Sequence, residues 1–337
     1  MESVQEAVLK RYQEGARNFE PKLCCPVTYD EEYLKILPEE ILQKDYGCGD
    51  PTQYAKEGET VLDLGSGVGK NCYILAQKVK SGQVIGVDFN QEMLDVARKY
   101  QQQIADAIGY QNTKFLKGKI QDLKLDLEAL ETWLNQHPVS GVEDLIKFEG
   151  ECQRLRQESP LVPDCSVDVV VSNCVLNLVN TDEKQKLFSE IYRVTKPGGR
   201  AVISDIVCDK TPTEKILNDP ELWSGCISGA FREDLFCEMF ENAGFEGVQI
   251  LKRDSEPWQV VDGIEFRSMT VCAYKLSSSA NCEVVYPGPW KVVQDETRTF
   301  KRGERVAAPL KYTQEPYNLI GVTAQMAQKT SCCSGKC

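Results

Sequence analysis

Between Gly58 and Tyr274 the chain alternates short runs rich in β-branched residues with longer stretches of helical periodicity. Such alternation is typical of an α/β fold, in which helices cover both faces of a parallel sheet. A turn at Pro197-Gly198-Gly199 is predicted to separate the last of these helices from the fifth strand. The predicted strands are 61–64, 83–88, 113–116, 167–172, 200–205, 248–252 and 268–274, and the predicted helices are 71–80, 91–103 and 182–194.

A polar insertion at about 123–163 interrupts this rhythm between the third and fourth predicted strands. It is too long for a loop, so we expect it to form its own helices, with a turn at His137-Pro138 and an accessory or lid role. We divide the chain into an N-terminal arm (1–57), a central domain (58–275) and a small, partly β C-terminal unit (276–337). The apolar stripe of the insertion helices is predicted to consist of Leu127, Leu130, Leu134 and Leu145.

Composition excludes several classes of protein. Of 337 residues, 42% are hydrophobic and 27% are charged, which is typical of a globular chain of about two domains. The net charge of −12 argues against nucleic acid as a substrate and against binding to anionic membranes. Because the sequence has no apolar run of signal-peptide or transmembrane length, we expect a soluble cytoplasmic protein. We also expect it to act as a monomer.

The most informative motif is Asp63-Leu64-Gly65-Ser66-Gly67-Val68-Gly69-Lys70, which follows a predicted strand and opens a predicted helix. Glycines at alternate positions let the backbone turn sharply and approach a ligand where a Cβ atom would clash. The second strand ends at Asp88, whose carboxylate is placed to accept hydrogen bonds from two ribose hydroxyls. Three glycines alone could form a tight turn without a ligand. A dinucleotide site would favour G-x-G-x-x-G, so the acid before this G-x-G-x-G favours a ligand that carries a methionine amino group.

The segment DLGSGVG resembles motif I of the S-adenosylmethionine-dependent methyltransferases, over about residues 58–275. The resemblance implies a Rossmann-like class I methyltransferase fold, with S-adenosylmethionine as the methyl donor. Under it, Ile120 and Gln121 flank the adenine, Met93 packs near it, and Asp63 and Asn173 lie near the methionine end. The cofactor-binding residues that we predict are Asp63, Gly65, Ser66, Gly67, Gly69, Asp88, Asn90, Met93, Ile120, Gln121 and Asn173.

Three of the fifteen cysteines are candidates to receive the methyl group or to hold its acceptor. Ligands of open α/β sheets bind beyond the carboxyl ends of the strands, which is where Cys174 lies. Cys226 follows the fifth strand, and Cys48 belongs to the arm, which can fold over the cofactor. The other cysteines, such as Cys72 and Cys237, can be core residues that act as small hydrophobic side chains.

Three thiolates around one centre select a thiophilic ion. A closed zinc site usually takes four ligands in closely spaced pairs, whereas these cysteines are scattered and the single His lies in the insertion. Trivalent arsenic forms three bonds to sulfur and keeps a lone pair that can attack the sulfonium methyl. This attack needs no general base, in agreement with the lack of a catalytic His and carboxylate pair.

Five segments together are similar to the arsenite S-adenosylmethionine methyltransferases: YGCGDP, DLGSGVGK, SNCVLNLV, KPGGRAVISDI and SGCISGAF. This resemblance implies arsenite and methylarsenite as substrates, and Cys48, Cys174 and Cys226 as the catalytic residues that hold As(III). It also implies that thiols supply reducing equivalents through a transient disulfide, with a thiol reductant of the glutathione or thioredoxin type as co-substrate.

Further cysteines and other functions remain open. The adjacent Cys24 and Cys25 could pass arsenic inward or resolve a disulfide, or they are ordinary loop thiols. The tail with Cys332, Cys333 and Cys337 could scavenge arsenic or zinc. One rival function is methylation of a small organic acceptor, with the three cysteines merely packed; another is sequestration or sensing of a metalloid without turnover.

Overall fold

The computed structural model describes residues 4–17, 27–44, 46–276, 281–295, 297–317 and 319–323. The helices are α1 Val4–Arg17, α2 Glu31–Leu34, α3 Glu39–Gln43, α4 Lys70–Val79, α5 Gln91–Lys99, α6 Gln101–Ile108, α7 Leu127–Gln136, α8 Val142–Glu158, α9 Lys184–Val194, α10 Glu214–Leu217, α11 Pro220–Ser224 and α12 Glu233–Asn242. The strands are β1 Thr60–Leu64, β2 Gln83–Asp88, β3 Thr113–Lys117, β4 Val167–Asn173, β5 Thr195–Cys208, β6 Phe231–Arg232, β7 Glu246–Arg253, β8 Gln259–Val261, β9 Ile264–Tyr274, β10 Asn281–Val285, β11 Val292–Gln294, β12 Thr299–Lys301, β13 Arg305–Pro309 and β14 Ile320–Thr323.

The central sheet has the strand order β3-β2-β1-β4-β5-β9-β7. Strands β1 to β5 pair in parallel, as the alternating pattern predicts. Strand β9, however, runs antiparallel to both β5 and β7, so the sheet is mixed rather than fully parallel. The connection from β7 to β9 is short and contains only β8, and such a connection cannot make the crossover that a parallel neighbour needs.

Strand β1 lies at the point where the strand order reverses, since β2 follows it on one side and β4 lies on the other. The glycine-rich turn leaves the carboxyl end of β1 at Leu64, and the neighbouring β4 ends at Asn173. Open α/β sheets bind ligands in the crevice at such a reversal. The fold therefore brings the glycine motif and the Asn173-Cys174 segment to one edge.

A hydrophobic core covers each face of the sheet. Because side chains alternate along a strand, Val61 joins the core under α4, while Leu62 and Leu64 join the core under α9 and α12. All three side chains are completely buried. The two cores fix the carboxyl ends of the strands from both sides, which makes this edge a rigid base for a site.

Several local predictions differ from the structure. The predicted helix 91–103 is two helices that meet at Tyr100, whose ψ of 0° interrupts the helix. The predicted turn at 197–199 lies inside β5, where Thr195 pairs with Val167 and Arg200 pairs with Val169 after a register shift. Gly198, at φ +86°, accommodates the extra residues of this bulge.

The insertion forms helices α7 and α8 with a turn after His137, in line with the prediction. Its small core contains Leu130, but Leu145 is 45% exposed and the stripe prediction is wrong at that position. Leu145 lies in the first turn of α8, and the residues of that helix that do pack against α7 come later, at Cys152 and Leu155.

The C-terminal residues form a three-stranded antiparallel sheet, β13-β10-β14, and the hairpin β11-β12. The limits of the three segments into which we divide the chain remain a prediction. The predictions for Cys24, Cys25, Cys332, Cys333 and Cys337 lie outside the described residues. Among the described residues, the helices are too short or too polar to span a membrane.

Candidate active site

The glycine-rich turn after β1 depends on left-handed backbone at three positions. The φ angles of Gly65, Gly67 and Gly69 are +69°, +52° and +85°. A Cβ atom on Gly65 would meet Val175 at 2.4 Å, and one on Gly69 would meet the Phe115 ring at 2.9 Å. At Gly67 a Cβ atom would meet nothing within 4 Å. Gly65 and Gly69 therefore allow close packing, whereas Gly67 leaves space open for a ligand.

Asp88 ties the end of β2 to this turn. One carboxylate oxygen accepts the backbone N–H of Gly67 at 2.8 Å, and the other accepts the N–H of Asn90 at 2.9 Å. Burial raises the pKa of Asp88, although the backbone N–H groups that bond to it partly oppose that rise. Each oxygen retains a lone pair, so the carboxylate can still accept hydrogen bonds from a ligand in the cavity.

A cavity of about 1090 Å³, including its open mouth, lies beyond the carboxyl ends of β1, β2 and β4. Its size suits a cofactor of nucleoside class. The predicted cofactor-binding residues that line it are Gly65, Gly67, Asp88, Asn90, Met93, Ile120, Gln121 and Asn173. Asp63, Ser66 and Gly69 lie behind this lining, where Asp63 accepts a hydrogen bond from the Cys72 thiol at 3.2 Å. Cys174 also lines the cavity, so the cysteine segment and the cofactor turn share one space.

The three predicted cysteines, Cys48, Cys174 and Cys226, come from distant segments and pack in one apolar cluster at this edge, which also contains Cys208. The Sγ atoms of Cys48 and Cys174 and a carboxylate oxygen of Asp205 lie within 4.8 Å of one another. Cys226 also contacts Cys174, and its thiol donates to the Cys174 carbonyl at 3.2 Å. We call Cys48, Cys174 and Cys226 the cysteine cluster. Cys174 is its central member, because it contacts both of the others.

Two members of the cysteine cluster have strained backbone. Cys174 has φ +62° and Cys226 has φ +63°, in the left-handed region that residues with a Cβ atom rarely adopt. Such strain persists only where neighbouring structure enforces it, and it is concentrated at functional sites. Both thiols are thus held in an orientation that relaxed strand or helix backbone would not give.

Hydrogen bonds from two polar residues enforce this backbone. The buried Asp205 carboxylate accepts the N–H of Leu176 at 2.9 Å and that of Asn177 at 3.3 Å, two and three residues after Cys174. The Asn177 amide donates to the carbonyls of Ile206 at 2.7 Å and Cys226 at 3.2 Å. Asn177 therefore links the loop of Cys174 to the loop of Cys226.

Burial and mutual contact make these thiols weak acids. For Cys174, the contact with Cys226 lowers the pKa, but the contact with Cys48 and burial outweigh it and leave the pKa well above its usual value. The contact with Cys174, followed by burial, raises the pKa of Cys226 well above its usual value. Burial also raises the pKa of Asp205, to about 6. Cys174 and Cys226 are therefore protonated at neutral pH.

Comparisons with known proteins agree with this geometry. A methyltransferase-domain family matches residues 55–159 and 146–244. The arsenite methyltransferase of Mus musculus is 31% identical, with 83% of this chain and 69% of that protein covered. The arsenite methyltransferase of Halobacterium salinarum is 38% identical over 62% of this chain and 43% of its own length.

The chain belongs to the arsenite methyltransferase family.

A solved structure, that of an arsenic(III) S-adenosylmethionine methyltransferase from Chlamydomonas reinhardtii, is also similar. It is 26% identical with a TM-score of 0.59, and the match covers 86% of this chain and 92% of that one. The predicted family, the Rossmann-like class I methyltransferase fold and the enzyme class are thereby confirmed. S-adenosylmethionine is the methyl donor of this enzyme.

The chemistry of the cavity fits this donor. The side-chain nitrogen of Asn90, which lines the cavity, is buried without a hydrogen-bond partner. A buried polar atom without a partner carries a desolvation cost that a polar ligand can remove. Together with the open space beside Gly67 and the Asp88 carboxylate, Asn90 gives the cavity a polar surface that a ligand can contact.

Two residues of the site, Asp205 and Tyr12, were not predicted from the sequence. Asp205 ends the fifth predicted strand, and the position of an acid at a strand end could have identified it, as it did Asp88. Tyr12 of α1 lines the cavity and contacts Cys226, and burial raises its pKa well above the usual value. No local pattern marks Tyr12, because the packing of α1 against α11 and α5 brings it there.

Proposed function

We propose that this protein transfers methyl groups from S-adenosylmethionine to trivalent arsenic held by Cys48, Cys174 and Cys226. The observation that carries the proposal is that Cys174 belongs to both the cofactor cavity and the cysteine cluster. A substrate bound to these thiols is therefore adjacent to the space that suits the methyl donor.

The protonated state of the thiols suits arsenite as substrate. When arsenite, As(OH)₃, binds three thiols, each arsenic–sulfur bond forms as one thiol proton leaves with one hydroxyl as water. No proton is released overall, so the high pKa values of Cys174 and Cys226 do not oppose binding. The apolar side chains around the cluster, such as Ile206 and Phe266, exclude water that would reverse this reaction.

S-adenosylmethionine supplies an electrophilic methyl group on a sulfonium sulfur. The arsenic lone pair forms the new As–C bond while the S–C bond breaks, and its electrons remain on sulfur. This transfer oxidises arsenic from the trivalent to the pentavalent state. Two arsenic-bound sulfurs, for example those of the adjacent Cys174 and Cys226, return two electrons to arsenic when their As–S bonds break and the sulfurs join as a disulfide. A small or protein thiol reductant then exchanges with this disulfide and restores both thiols.

The decisive test is to incubate the purified protein with S-adenosylmethionine, a thiol reductant and arsenite, and to separate the arsenic species. We expect methylated arsenic from the wild type and from Cys237→Ser, a control that removes a partly exposed thiol on α12. We expect none from Cys174→Ser. Arsenite binding without any methylated product would favour sequestration, and the absence of arsenite binding would favour an organic acceptor.

A further inference from the structure

The backbone of Cys48 is fastened to the sheet at both of its polar groups. Its N–H donates to Asn173 Oδ1 at 2.9 Å, and its carbonyl accepts from Ser268 Oγ at 2.7 Å. Asn173 ends β4 and Ser268 lies in β9, so the arm is tied on either side of β5. Cys48 itself is only 3% exposed. We call the side chains of Asn173 and Ser268 the arm clasp.

The side chain of Asn173 has no hydrogen-bonding capacity left for another partner. Its Oδ1 atom accepts from the N–H of Cys48 and from that of Gly49, at 2.9 and 3.0 Å. Its amide nitrogen donates to the Gly49 carbonyl at 2.7 Å and to the Tyr29 hydroxyl at 3.0 Å. An amide offers two donors and two acceptor positions, and all four are used within the arm.

Steric fit around the clasp is equally tight. A Cβ atom on Gly47 would lie 2.2 Å from the Asn173 amide nitrogen, and one on Gly49 would lie 2.7 Å from the Ser204 side chain. Only glycine allows the arm to approach the sheet this closely on both sides of Cys48. The backbone at these positions is therefore adapted to one docked arrangement of the arm.

Cys48 differs in this respect from the other two cysteines. Cys174 directly continues β4, and its N–H is bonded to the Ser204 carbonyl at 2.8 Å. The backbone of Cys48 reaches the sheet through side chains, those of the clasp. Removal of a clasp side chain should thus displace Cys48 while Cys174 and Cys226 stay in contact.

We propose that Asn173 and Ser268 are positioning residues that hold Cys48 against the cysteine cluster and so allow arsenite to be a substrate. The inference rests on the proposed function, because arsenite has three positions for sulfur and monomethylarsenite has two. A displaced Cys48 removes the third sulfur alone. The clasp then sets the preference between the two substrates.

The kinetic test compares Asn173→Ala and Ser268→Ala with Ser172→Ala. The control removes a buried hydroxyl next to Asn173 whose bond, at 3.0 Å, goes to the Leu64 carbonyl and not to the arm. For both clasp variants we expect turnover of arsenite to fall by about tenfold or more, while turnover of monomethylarsenite changes less than about twofold. Equal losses on the two substrates would overturn the proposal.

The affinity for S-adenosylmethionine separates positioning from cofactor binding. Asn173 lines the cavity but Ser268 does not. If Asn173 acted on the cofactor directly, its replacement by Ala would weaken cofactor binding, and Ser268→Ala would leave arsenite turnover unchanged. We expect instead the same loss of arsenite turnover in both variants, with cofactor affinity close to that of the wild type.

A second measurement needs neither arsenic nor methyl transfer. Iodoacetamide labelling followed by peptide mass spectrometry reports the exposure of each thiol in the free protein. We expect Cys48 to be labelled about tenfold faster in Asn173→Ala and Ser268→Ala than in the wild type or Ser172→Ala, with Cys174 and Cys226 unchanged. Protection of Cys48 as in the wild type would refute the clasp, even if the protein proved to methylate no arsenic.

Discussion

The cofactor end of the cavity is built from residues that are close in sequence, whereas its cysteine end joins three distant segments. Gly67 and Asp88 belong to one β-turn-α-β unit and are bonded directly to each other. Cys48, Cys174 and Cys226 come from the arm, from the end of β4 and from the segment after α11. Substitutions at the cofactor end therefore disturb the fold itself. At the cysteine end, one cysteine can be replaced while the other two keep their positions.

The largest expected effects on methylation come from replacing single cysteines of the cysteine cluster, and they differ between the three cysteines. Cys174→Ser should abolish methylation of both arsenite and monomethylarsenite, because Cys174 is the central member of the cluster. Cys226→Ser should do the same, and Cys48→Ser should abolish only the reaction of arsenite, which needs a third sulfur. Turnover of each variant on the two substrates measures this.

The matched control for these variants is Cys208→Ser, which alters a completely buried thiol in the same apolar cluster. It should retain activity on both substrates. A Cys174→Ser enzyme that still methylates monomethylarsenite would contradict the central position of Cys174.

A substitution at the cofactor end should have the converse effect. Gly67→Val places a branched side chain in the cavity and should weaken binding of S-adenosylmethionine by at least about tenfold, with arsenite binding retained. Gly109→Val is the control, because Gly109 also has positive φ and open space around it but caps α6 away from the cavity. Calorimetric titration of both ligands gives the comparison, and equal cofactor affinity in the two variants would exclude Gly67 from the site.

Replacement of Asn177, which links the loop of Cys174 to the loop of Cys226, should have an intermediate effect on substrate affinity. Asn177→Ala removes the amide that joins the loop of Cys174 to the carbonyl of Cys226, so affinity for arsenite and monomethylarsenite should both fall, by about tenfold. The matched control is Asn112→Ala. Like that of Asn177, the Asn112 amide nitrogen donates to two carbonyls, those of Ala76 and Lys80. The side-chain oxygens of both asparagines are buried without a hydrogen-bond partner. A weaker affinity in Asn112→Ala as well would mean that general destabilisation explains the result.

The smallest effect is expected from deleting residues 331–337. The three thiols of the proposed site all come before residue 227, so turnover of arsenite at saturating substrate should stay within about twofold of the full-length value. A loss as large as that of Cys174→Ser would place the tail in the catalytic site.

Much of the cofactor end follows from the sequence, because its signals are local. A strand, alternate glycines and an acid at the next strand end lie within about thirty residues, and each has a direct backbone reason. The helices of the insertion were also predictable from their length and apolar spacing. The exposure of Leu145 and the break at Tyr100 were not, since both depend on what packs against those helices.

The sequence by itself determined the α/β alternation, the glycine-rich turn and which cysteines follow strand ends. Only the tertiary structure decided that β9 runs antiparallel, that Cys174 and Cys226 adopt positive φ, and that the Asn173 amide is fully occupied by the arm. The reason is the range of the forces involved. Backbone propensity and periodicity act over a few residues. The cysteine cluster and the arm clasp arise from contacts between segments that are far apart in sequence, by 52 residues for Cys174 and Cys226 and by 125 for Cys48 and Asn173.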